Sequence, residues 1–276
     1  MTFIYVPKQY KRLFLGVFMN ATMTQLSQVE AVASFNFPPA FQAIRSLYSK
    51  RHGDSTWLSL ERGRAIITSE DQAEQFLFSF GNMHEAKMKR ACSLMIESFN
   101  AHKESFNFVD IIDYGCGQAL ASIVTLNYLQ STGLNKEYIG KTTLIEPSKI
   151  ALNRAKMFIG SAPSIKAINK ELDELNPTDL ATDKDAIKLH LFSNILDMGC
   201  DVFNIEQLAC NIKASQKGIN YFLCASPAIN ERTDQRLQLF AHQFYGLPCE
   251  IIAHEKGLIN SNERWTKNIW VFKVEL

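Results

Sequence analysis

The pattern of hydrophobic positions changes near residue 105. Beyond that point, short apolar runs alternate with longer segments in which apolar residues recur every three or four positions, as expected for strands connected by helices. Before it, apolar residues follow helical spacing through residues 26–33, 41–48 and 83–99. We therefore predict a mostly helical cap over residues 1–104 and an α/β domain over residues 105–276.

The short apolar runs of the second part are predicted to be strands. They cover residues 109–113, 142–146, 164–168, 187–191, 219–224, 249–254 and 269–274. Helical periodicity is found in connecting segments at 119–129, 149–159, 202–213 and 232–245. This alternation indicates a parallel sheet that is covered by helices.

The first strand leads into a glycine-containing turn. The segment Val109–Asp113 is a short apolar run that ends in an acid, and Gly115 and Gly117 follow it directly. Helical periodicity then resumes over Ala119–Leu129. Such a strand, turn and helix expose backbone N–H groups and the positive end of a helix dipole to a ligand. We predict that an adenosine-type ligand binds at this turn.

A second acid follows the next strand. Glu146 ends that strand, and Pro147 begins a turn into the helical segment Lys149–Ile159. A carboxylate in this position is placed to accept hydrogen bonds from both hydroxyls of a ribose. The two acids and the turn between them therefore indicate a nucleoside-binding site.

These motifs resemble those of the class I S-adenosylmethionine-dependent methyltransferases. In that family the first-strand motif is an acid-x-Gly-x-Gly-x-Gly, and the second strand ends in the ribose-binding acid. The resemblance covers roughly residues 105–276 and departs at the third glycine, which is Ala119 here. Asp113 and Glu146 are also 33 positions apart, against about 20 in the compact dinucleotide fingerprint. An insertion around Thr132–Lys141 explains that spacing. The long spacing disfavours the alternative of a dinucleotide-dependent oxidoreductase.

The resemblance implies a fold, a cofactor and a set of binding residues. The fold is an α/β fold with a seven-stranded, mostly parallel, doubly wound sheet and an antiparallel C-terminal hairpin, preceded by the helical cap. The cofactor is S-adenosyl-L-methionine (SAM). The implied cofactor-binding residues are Asp113, Tyr114, Gly115, Cys116, Gly117, Glu146, Pro147 and Asn194.

Polar residues gather after the fourth strand, where a methyltransferase holds the transferring methyl group. Ligands of open α/β sheets bind at the carboxyl ends of strands. Asn194 and Ser193 are the predicted catalytic residues, which would orient the acceptor, and Asp197 or His190 is a candidate proton acceptor. The alternatives are that His190 is buried in the sheet, which we favour, and that Asp197 caps the helix Val202–Lys213. For Ser193 and Asn194, structural and functional interpretations both stay open.

His84 and Lys87 form a further polar pair in the N-terminal part. They are three residues apart after Gly81-Asn82, which we interpret as the break before a helix over residues 83–99. The pair would then be solvated on a capping turn. The alternative is that both side chains line the mouth of a substrate or cofactor site.

Composition narrows the class of protein and excludes some sites. The net charge of +1 does not indicate a nucleic-acid partner, although RNA stays open as an acceptor. Six cysteines without a Cys-x-x-Cys pair predict reduced thiols in a cytoplasmic protein and no metal site. No apolar run approaches the ~18 residues of a membrane span. The sequence predicts neither the methyl acceptor nor the oligomeric state.

Three functions remain after this comparison of motifs. The leading prediction is an enzyme that transfers a methyl group from SAM to an oxygen or nitrogen atom of an unidentified acceptor. The second is similarity to ribosome-associated, RNA-directed methyltransferases, although their cysteine-rich metal features are missing here. The third is a binding or interaction module that keeps the fold without catalysis.

Overall fold

The computed structural model describes residues 60–61, 63–102, 106–160, 164–260 and 265–276. The helices predicted at 26–33 and 41–48 lie outside the described residues. The strands are β1 (Phe108–Tyr114), β2 (Ile139–Ile145), β3 (Ser164–Ile168), β4 (Ala186–Ser193), β5 (Ile219–Ser226), β6 (Cys249–Leu258) and β7 (Thr266–Glu275). The α-helices are α1 (Glu70–Asn100), α2 (Leu120–Ser131), α3 (Lys149–Ile159), α4 (Ile205–Ser215) and α5 (Glu231–His242). In the described part of the chain, no helix is both long and apolar enough to cross a membrane.

The strands form one seven-stranded sheet in the order β3-β2-β1-β4-β5-β7-β6. Strands β1 to β5 pair in parallel, whereas β7 is antiparallel to both β5 and β6. The predicted fold class is therefore confirmed for the sheet. From β1 the chain proceeds outward through β2 and β3 on one side, and through β4 and β5 on the other. This reversal of direction opens a crevice between the carboxyl ends of β1 and β4, where open α/β sheets bind ligands.

Each face of the sheet is covered by its own set of helices. Successive side chains of a strand point to opposite faces. Accordingly, Val109 and Ile111 of β1 pack with helices α1, α2 and α3, while Ile112 and Tyr114 pack with α4 and α5. Both clusters consist mainly of fully buried side chains, so the sheet has helices on both faces, as a doubly wound fold requires.

Helix α1 corrects the prediction of a break at Gly81-Asn82. It is a single helix of 31 residues, and Ser69 caps it by accepting a hydrogen bond from Gln72 N at 3.2 Å. The buried positions Leu77, Gly81 and Met88 continue one apolar stripe through the supposed break. Because burial along this stripe outweighs the low helix propensity of a single glycine, which is about 1 kcal/mol, the helix does not end there.

Candidate functional site

The turn after β1 has the left-handed backbone that its glycines predict. Gly115 has a φ of 61° and Gly117 a φ of 52°, values that are strained for residues with a Cβ atom. Cys116 N donates to Ile145 O at 2.9 Å, which holds the turn against the end of β2. Ala119, at the position of the third glycine, is also left-handed, with a φ of 65°, and forms the N-terminal boundary of α2.

The two glycines have different surroundings. A Cβ atom on Gly115 would lie 2.3 Å from Cδ1 of Ile195, in the loop after β4. A Cβ atom on Gly117 would have no described atom within 4 Å. Gly115 therefore allows the turn and the β4 loop to pack closely. Gly117 faces open space, where a ligand can approach the backbone.

The carboxylate of Glu146 lies beside this open space. Its Oε2 accepts a hydrogen bond from Gly117 N at 3.0 Å, and its Oε1 accepts one from Ser148 N at 2.9 Å. A carboxylate has about four lone-pair sites, so each oxygen keeps the capacity for a further donor. Burial raises the pKa of Glu146, and the two backbone N–H groups oppose that shift.

Asp113 is buried beneath the turn at the end of β1. Its Oδ2 accepts hydrogen bonds from the backbone N and the hydroxyl of Ser122, at 3.1 and 2.7 Å. Its Oδ1 is buried and has no hydrogen-bond partner among the described residues. Burial raises the pKa of Asp113 to about 7; the Ser122 bonds oppose this rise and the charge of Glu146 adds to it. A buried acceptor without a donor is costly, and a bound N–H donor would satisfy it.

Three other predicted cofactor residues have different environments. The side chain of Tyr114 lies in the core under α4 and α5, where its hydroxyl is 3.0 Å from His190 Nδ1. The Cys116 thiol is buried, and burial raises its pKa. Pro147 accepts a hydrogen bond at its carbonyl from Asn169 Nδ2, at 2.7 Å. The side chain of Tyr114 therefore points into the core and away from the open space. Asn169, for which the sequence indicated no role, holds the loop after β2.

The loop after β4 begins with Asn194 in a left-handed conformation. Its φ is 59°, and its N–H donates to Ala225 O at 2.7 Å. The side-chain Nδ2 donates to the Ser193 hydroxyl at 3.0 Å, and Oδ1 accepts a hydrogen bond from the Lys87 amine. The two predicted catalytic residues are therefore hydrogen-bonded to each other, and Lys87 of helix α1 is hydrogen-bonded to Asn194.

The interpretation of Lys87 as a solvated residue is wrong. It lies in the middle of α1 and its side chain is fully buried, while His84, one turn earlier, is partly buried. Burial lowers the pKa of Lys87 to about 7, and the carboxylate of Asp197 opposes that shift. Burial also lowers the pKa of His84 well below its usual value, and the charge of Lys87 adds to this effect. The continuous apolar stripe of α1 is the sequence signal that would have placed both residues inside the molecule.

Asp197 does not cap the helix that follows it, so the capping alternative is wrong. Helix α4 begins at Ile205, and Asn204 caps it by accepting from Gln207 N at 3.0 Å. Asp197 instead lies near the end of β5. Its Oδ1 and the hydroxyl of Ser226 are both buried without a regular hydrogen bond in the described ranges. Burial raises the pKa of Asp197, while Ser226 and the charge of Lys87 oppose the rise.

His190 is buried in the middle of the sheet, as favoured from the sequence. Its Nδ1 is 3.0 Å from the Tyr114 hydroxyl, and its Nε2 is 3.0 Å from Asn220 Oδ1. Burial lowers its pKa to about 4. Because both ring nitrogens are already hydrogen-bonded within the sheet, His190 is not placed to accept a proton from a substrate.

The segment before α1 and its first turn fasten this helix to the candidate site. Ser148 Oγ, after Glu146, donates to Ile67 O at 2.5 Å. Gln118 Nε2, after Gly117, donates to Ala73 O at 2.8 Å. Both loops that surround the open space are therefore bonded to the chain on the N-terminal side of β1. The part of the chain before residue 105 contributes directly to the site.

Comparisons with known proteins give structural but no sequence matches. No protein-family model matches the chain, and a search of the curated proteins finds no significant match.

Three similar solved structures are methyltransferases. A SAM-dependent methyltransferase from Leishmania major is 12% identical with a TM-score of 0.46, and the alignment covers 90% of each chain. The magnesium protoporphyrin IX methyltransferase from Synechocystis, with bound SAM, is 11% identical with a TM-score of 0.44, covering 86% of this chain and 97% of that one. The trans-methyltransferase CalH, in complex with SAH, is 11% identical with a TM-score of 0.49, covering 97% and 74%. At these values, the activities of those proteins do not transfer to this chain.

Proposed function

We propose that the protein binds SAM at the crevice between β1 and β4 and transfers its methyl group to an oxygen or nitrogen atom of an acceptor. The observation that carries this proposal is the space beside Gly117 that no described residue fills. The Glu146 carboxylate lies on one side of it, and beneath it lies the Asp113 carboxylate, whose Oδ1 has no hydrogen-bond partner among the described residues. The strand order supports this proposal, because β1 and β4 are neighbours and ligands of open α/β sheets bind at the carboxyl ends of such strands.

The residues of the site fit such a ligand. The free lone pairs of Glu146 would accept the two ribose hydroxyls, and Asp113 Oδ1 would accept a hydrogen bond from an N–H donor of the ligand. The backbone of Gly115–Gly117 lies at the beginning of α2, where the helix dipole favours negative groups. When bound, SAM supplies an electrophilic methyl carbon on a sulfonium sulfur, and the protein's part is mainly to orient the acceptor and exclude water.

Ser193 and Asn194 are proposed to position the acceptor. Ser193 ends β4 and Asn194 begins the loop that follows. Both lie beside Gly115, because the next residue, Ile195, packs on that glycine. Their mutual hydrogen bond fixes the orientation of the Asn194 amide. A fixed amide at the carboxyl end of a strand offers both a donor and an acceptor to a substrate.

Calorimetric titration with SAM and S-adenosylhomocysteine (SAH) tests the cofactor assignment. We expect the wild-type protein to bind both, Glu146→Gln to bind at least tenfold more weakly and Glu146→Ala at least a hundredfold, since a hydrogen bond to a charged group contributes about 1.5–3 kcal/mol. Glu137→Gln, an exposed carboxylate near the opposite end of β2, is the matched control and should bind normally.

Two results would contradict the proposal. If neither ligand binds the wild-type protein, the fold is an interaction module without this cofactor. If Glu146→Ala binds as tightly as the wild type, the ligand lies elsewhere. Co-purified RNA would instead support the RNA-directed alternative.

A further inference from the structure

Lys87 is a buried amine that the proposed cofactor site does not use. It lies in the middle of α1 with its side chain fully buried, and its Nζ donates to Asn194 Oδ1. Burying the ammonium form of a lysine is costly, so a protein that keeps lysine in such a place favours its neutral form.

The position of Lys87 is set by two contacts that link it to the crevice. Asn194 binds the amine, and the neighbouring Ile195 packs against Gly115 at the cofactor turn. The amine therefore lies on the β4 side of the crevice, beside the residues proposed to hold the acceptor. It reaches this place from a helix on one face of the sheet, while the cofactor turn comes from the sheet itself.

The charged groups that act on Lys87 come from two elements. His84 on the same helix adds a repulsive charge only when it is protonated, and burial keeps its pKa well below the usual value. Asp197, from the loop after β4, provides an attractive charge. Burial lowers the pKa of Lys87 to about 7 against the opposing charge of Asp197, so both of its protonation states are populated at neutral pH.

Several other charged groups on the elements around α1 pair with partners of their own. Arg154 of α3 pairs with Glu70, and Glu255 of β6 pairs with Arg90 of α1 and with Lys267 of β7. Helix α2 carries no Asp, Glu, Lys, Arg or His. Asp113 and Glu146 lie on the cofactor side of the crevice, and the pKa of Asp113, also about 7, has to be separated from that of Lys87 in any titration.

We propose that the neutral amine of Lys87 is the base that takes the proton of the methyl acceptor. This inference rests on the proposed methyl transfer and narrows the acceptor to a group with a proton to lose, such as a hydroxyl or an N–H. In the step, a lone pair of the acceptor atom forms a bond to the methyl carbon, and the carbon–sulfur bond breaks with its electron pair left on sulfur. The acceptor's proton passes to Lys87 Nζ, and Asn194 Oδ1 and the carboxylate of Asp197 stabilise the resulting ammonium.

A base beside the transferring methyl group has a consequence that needs no knowledge of the acceptor. SAM carries a sulfonium charge that SAH lacks. A protonated Lys87 would repel that charge, whereas a neutral one would not. The affinity for SAM relative to SAH should therefore increase as the pH rises through the pKa of Lys87. A lysine that serves only to stabilise the fold would leave this ratio unchanged.

The experiment measures the dissociation constants of SAM and SAH by calorimetry between pH 6 and 9. For the wild type we expect the SAM-to-SAH affinity ratio to rise at least tenfold across this range. Lys87→Met should remove this rise, and Lys87→Arg should keep the ratio low throughout, because arginine stays charged. Lys89→Met, an exposed lysine on the same helix, is the control and should behave as the wild type. A rise of undiminished size in Lys87→Met would come from another group, such as Asp113, and would overturn the inference.

A second measurement follows the lysine in the wild-type protein and uses a variant only for assignment. Carbon-13 labelling of the lysine side chains allows the Lys87 resonance, assigned by its loss in Lys87→Arg, to be titrated directly. A midpoint near neutral pH that falls further when SAM, but not SAH, is bound supports the inference. A midpoint above pH 9 overturns it.

The remaining outcomes separate this inference from the proposed function. If both ligands bind and their affinity ratio does not depend on Lys87, the proposed function stands and Lys87 is not the base. If Lys87→Met weakens SAM and SAH equally at every pH, the lysine holds a part that both ligands share, and the inference is wrong. Failure of the wild type to bind either ligand contradicts the proposed function itself.

Discussion

At the scale of single residues, the candidate site depends on which neighbours surround each glycine. Gly115 and Gly117 have the same left-handed backbone. The side chain of Ile195 occupies the place of a Cβ atom on Gly115, whereas no described atom lies near that place on Gly117. Substitution by alanine therefore has a different consequence at each position. Comparing the two substitutions therefore distinguishes an effect on packing from an effect on ligand binding.

We expect Gly115→Ala to destabilise the protein and Gly117→Ala to impair binding. The first adds a steric overlap with Ile195 to the strain of a left-handed alanine, together about 2–4 kcal/mol. The second adds only the backbone strain, about 1–2 kcal/mol, and places a methyl group in the open space. Denaturant unfolding and SAH titration measure the two effects. Partial rescue of Gly115→Ala by Ile195→Ala would confirm the overlap, and equal stability of both glycine variants would contradict it.

The buried amine of Lys87 also predicts a pH dependence of stability. Between its folded pKa of about 7 and the usual lysine value, the unfolded state binds a proton that the folded state does not. The free energy of unfolding should therefore rise with pH in this window, by up to about 1.4 kcal/mol per pH unit from this one group.

Unfolding of the wild type and of Lys87→Met between pH 7.5 and 8.5 isolates this contribution. We expect the difference in stability between the two proteins to change in favour of the wild type as the pH increases. Lys89→Met, which removes an exposed amine, should show no such trend. Parallel pH curves for the wild type and Lys87→Met would show that Lys87 keeps an ordinary pKa.

At the scale of elements, one arginine fastens helix α1 to helix α3 and to the cofactor turn. Arg154 is buried; its Nη1 donates to Glu70 Oε2 and its Nε donates to Gln118 Oε1, both at 2.7 Å. Gln118 in turn donates to Ala73 O in the first turn of α1. The start of α1 is therefore held by a hydrogen-bonded chain that ends one residue from Gly117.

We predict unequal effects of replacing the arginine and its acidic partner. Arg154→Met should destabilise the protein by about 1–3 kcal/mol, because it leaves the buried oxygen of Gln118 without a donor. Glu70→Gln should cost less than about 1 kcal/mol, because that carboxylate is about half exposed and the pair is screened by solvent. Chemical denaturation of both variants provides the comparison. A larger effect for Glu70→Gln would mean that the ion pair, rather than the buried amide, stabilises the contact.

At the scale of the whole molecule, α1 belongs to the same core as the sheet. Its buried residues Met88, Cys92 and Phe99 share a hydrophobic cluster with strand residues such as Leu189 and Leu223. Together with the contact between Lys87 and Asn194, this packing joins the segment before residue 105 to the α/β part both structurally and at the candidate site. The division at residue 105 between a helical cap and an α/β domain stays a prediction.

We expect a fragment of residues 105–276 to be unstable by itself. Without α1, one face of β5 and the adjoining surface of α2 would expose apolar side chains that α1 covers in the whole chain. The comparison is between the full chain and this fragment, by circular dichroism during thermal unfolding and by binding of a hydrophobic dye. A fragment that unfolds cooperatively at the temperature of the full chain would show that the α/β part is an independent domain.

Much of the architecture was determined by the sequence alone. Period-two and continuous apolar runs predicted the strands, and β3 has the predicted bounds. Helix α3 also has the predicted bounds, because Pro147, Ser148 and Gly160 mark where local structure changes. The glycine turn and Glu146 were placed correctly at the ends of β1 and β2, since both depend on residues close in sequence. The C-terminal antiparallel pair was also predicted, in agreement with the pairing of β6 and β7.

Only the tertiary structure decided what the polar residues of the site contact. Lys87 and Asn194 are 107 positions apart, and no local pattern indicates that one would bind the other. Burial of Lys87 followed from a helix that continues through Gly81, and it is this packing, rather than residue type, that changes the protonation of the amine. The capping of α4 by Asn204 was missed for a related reason: Asp197 and Asn204 are both good caps, and the path of the loop determines which one reaches the helix.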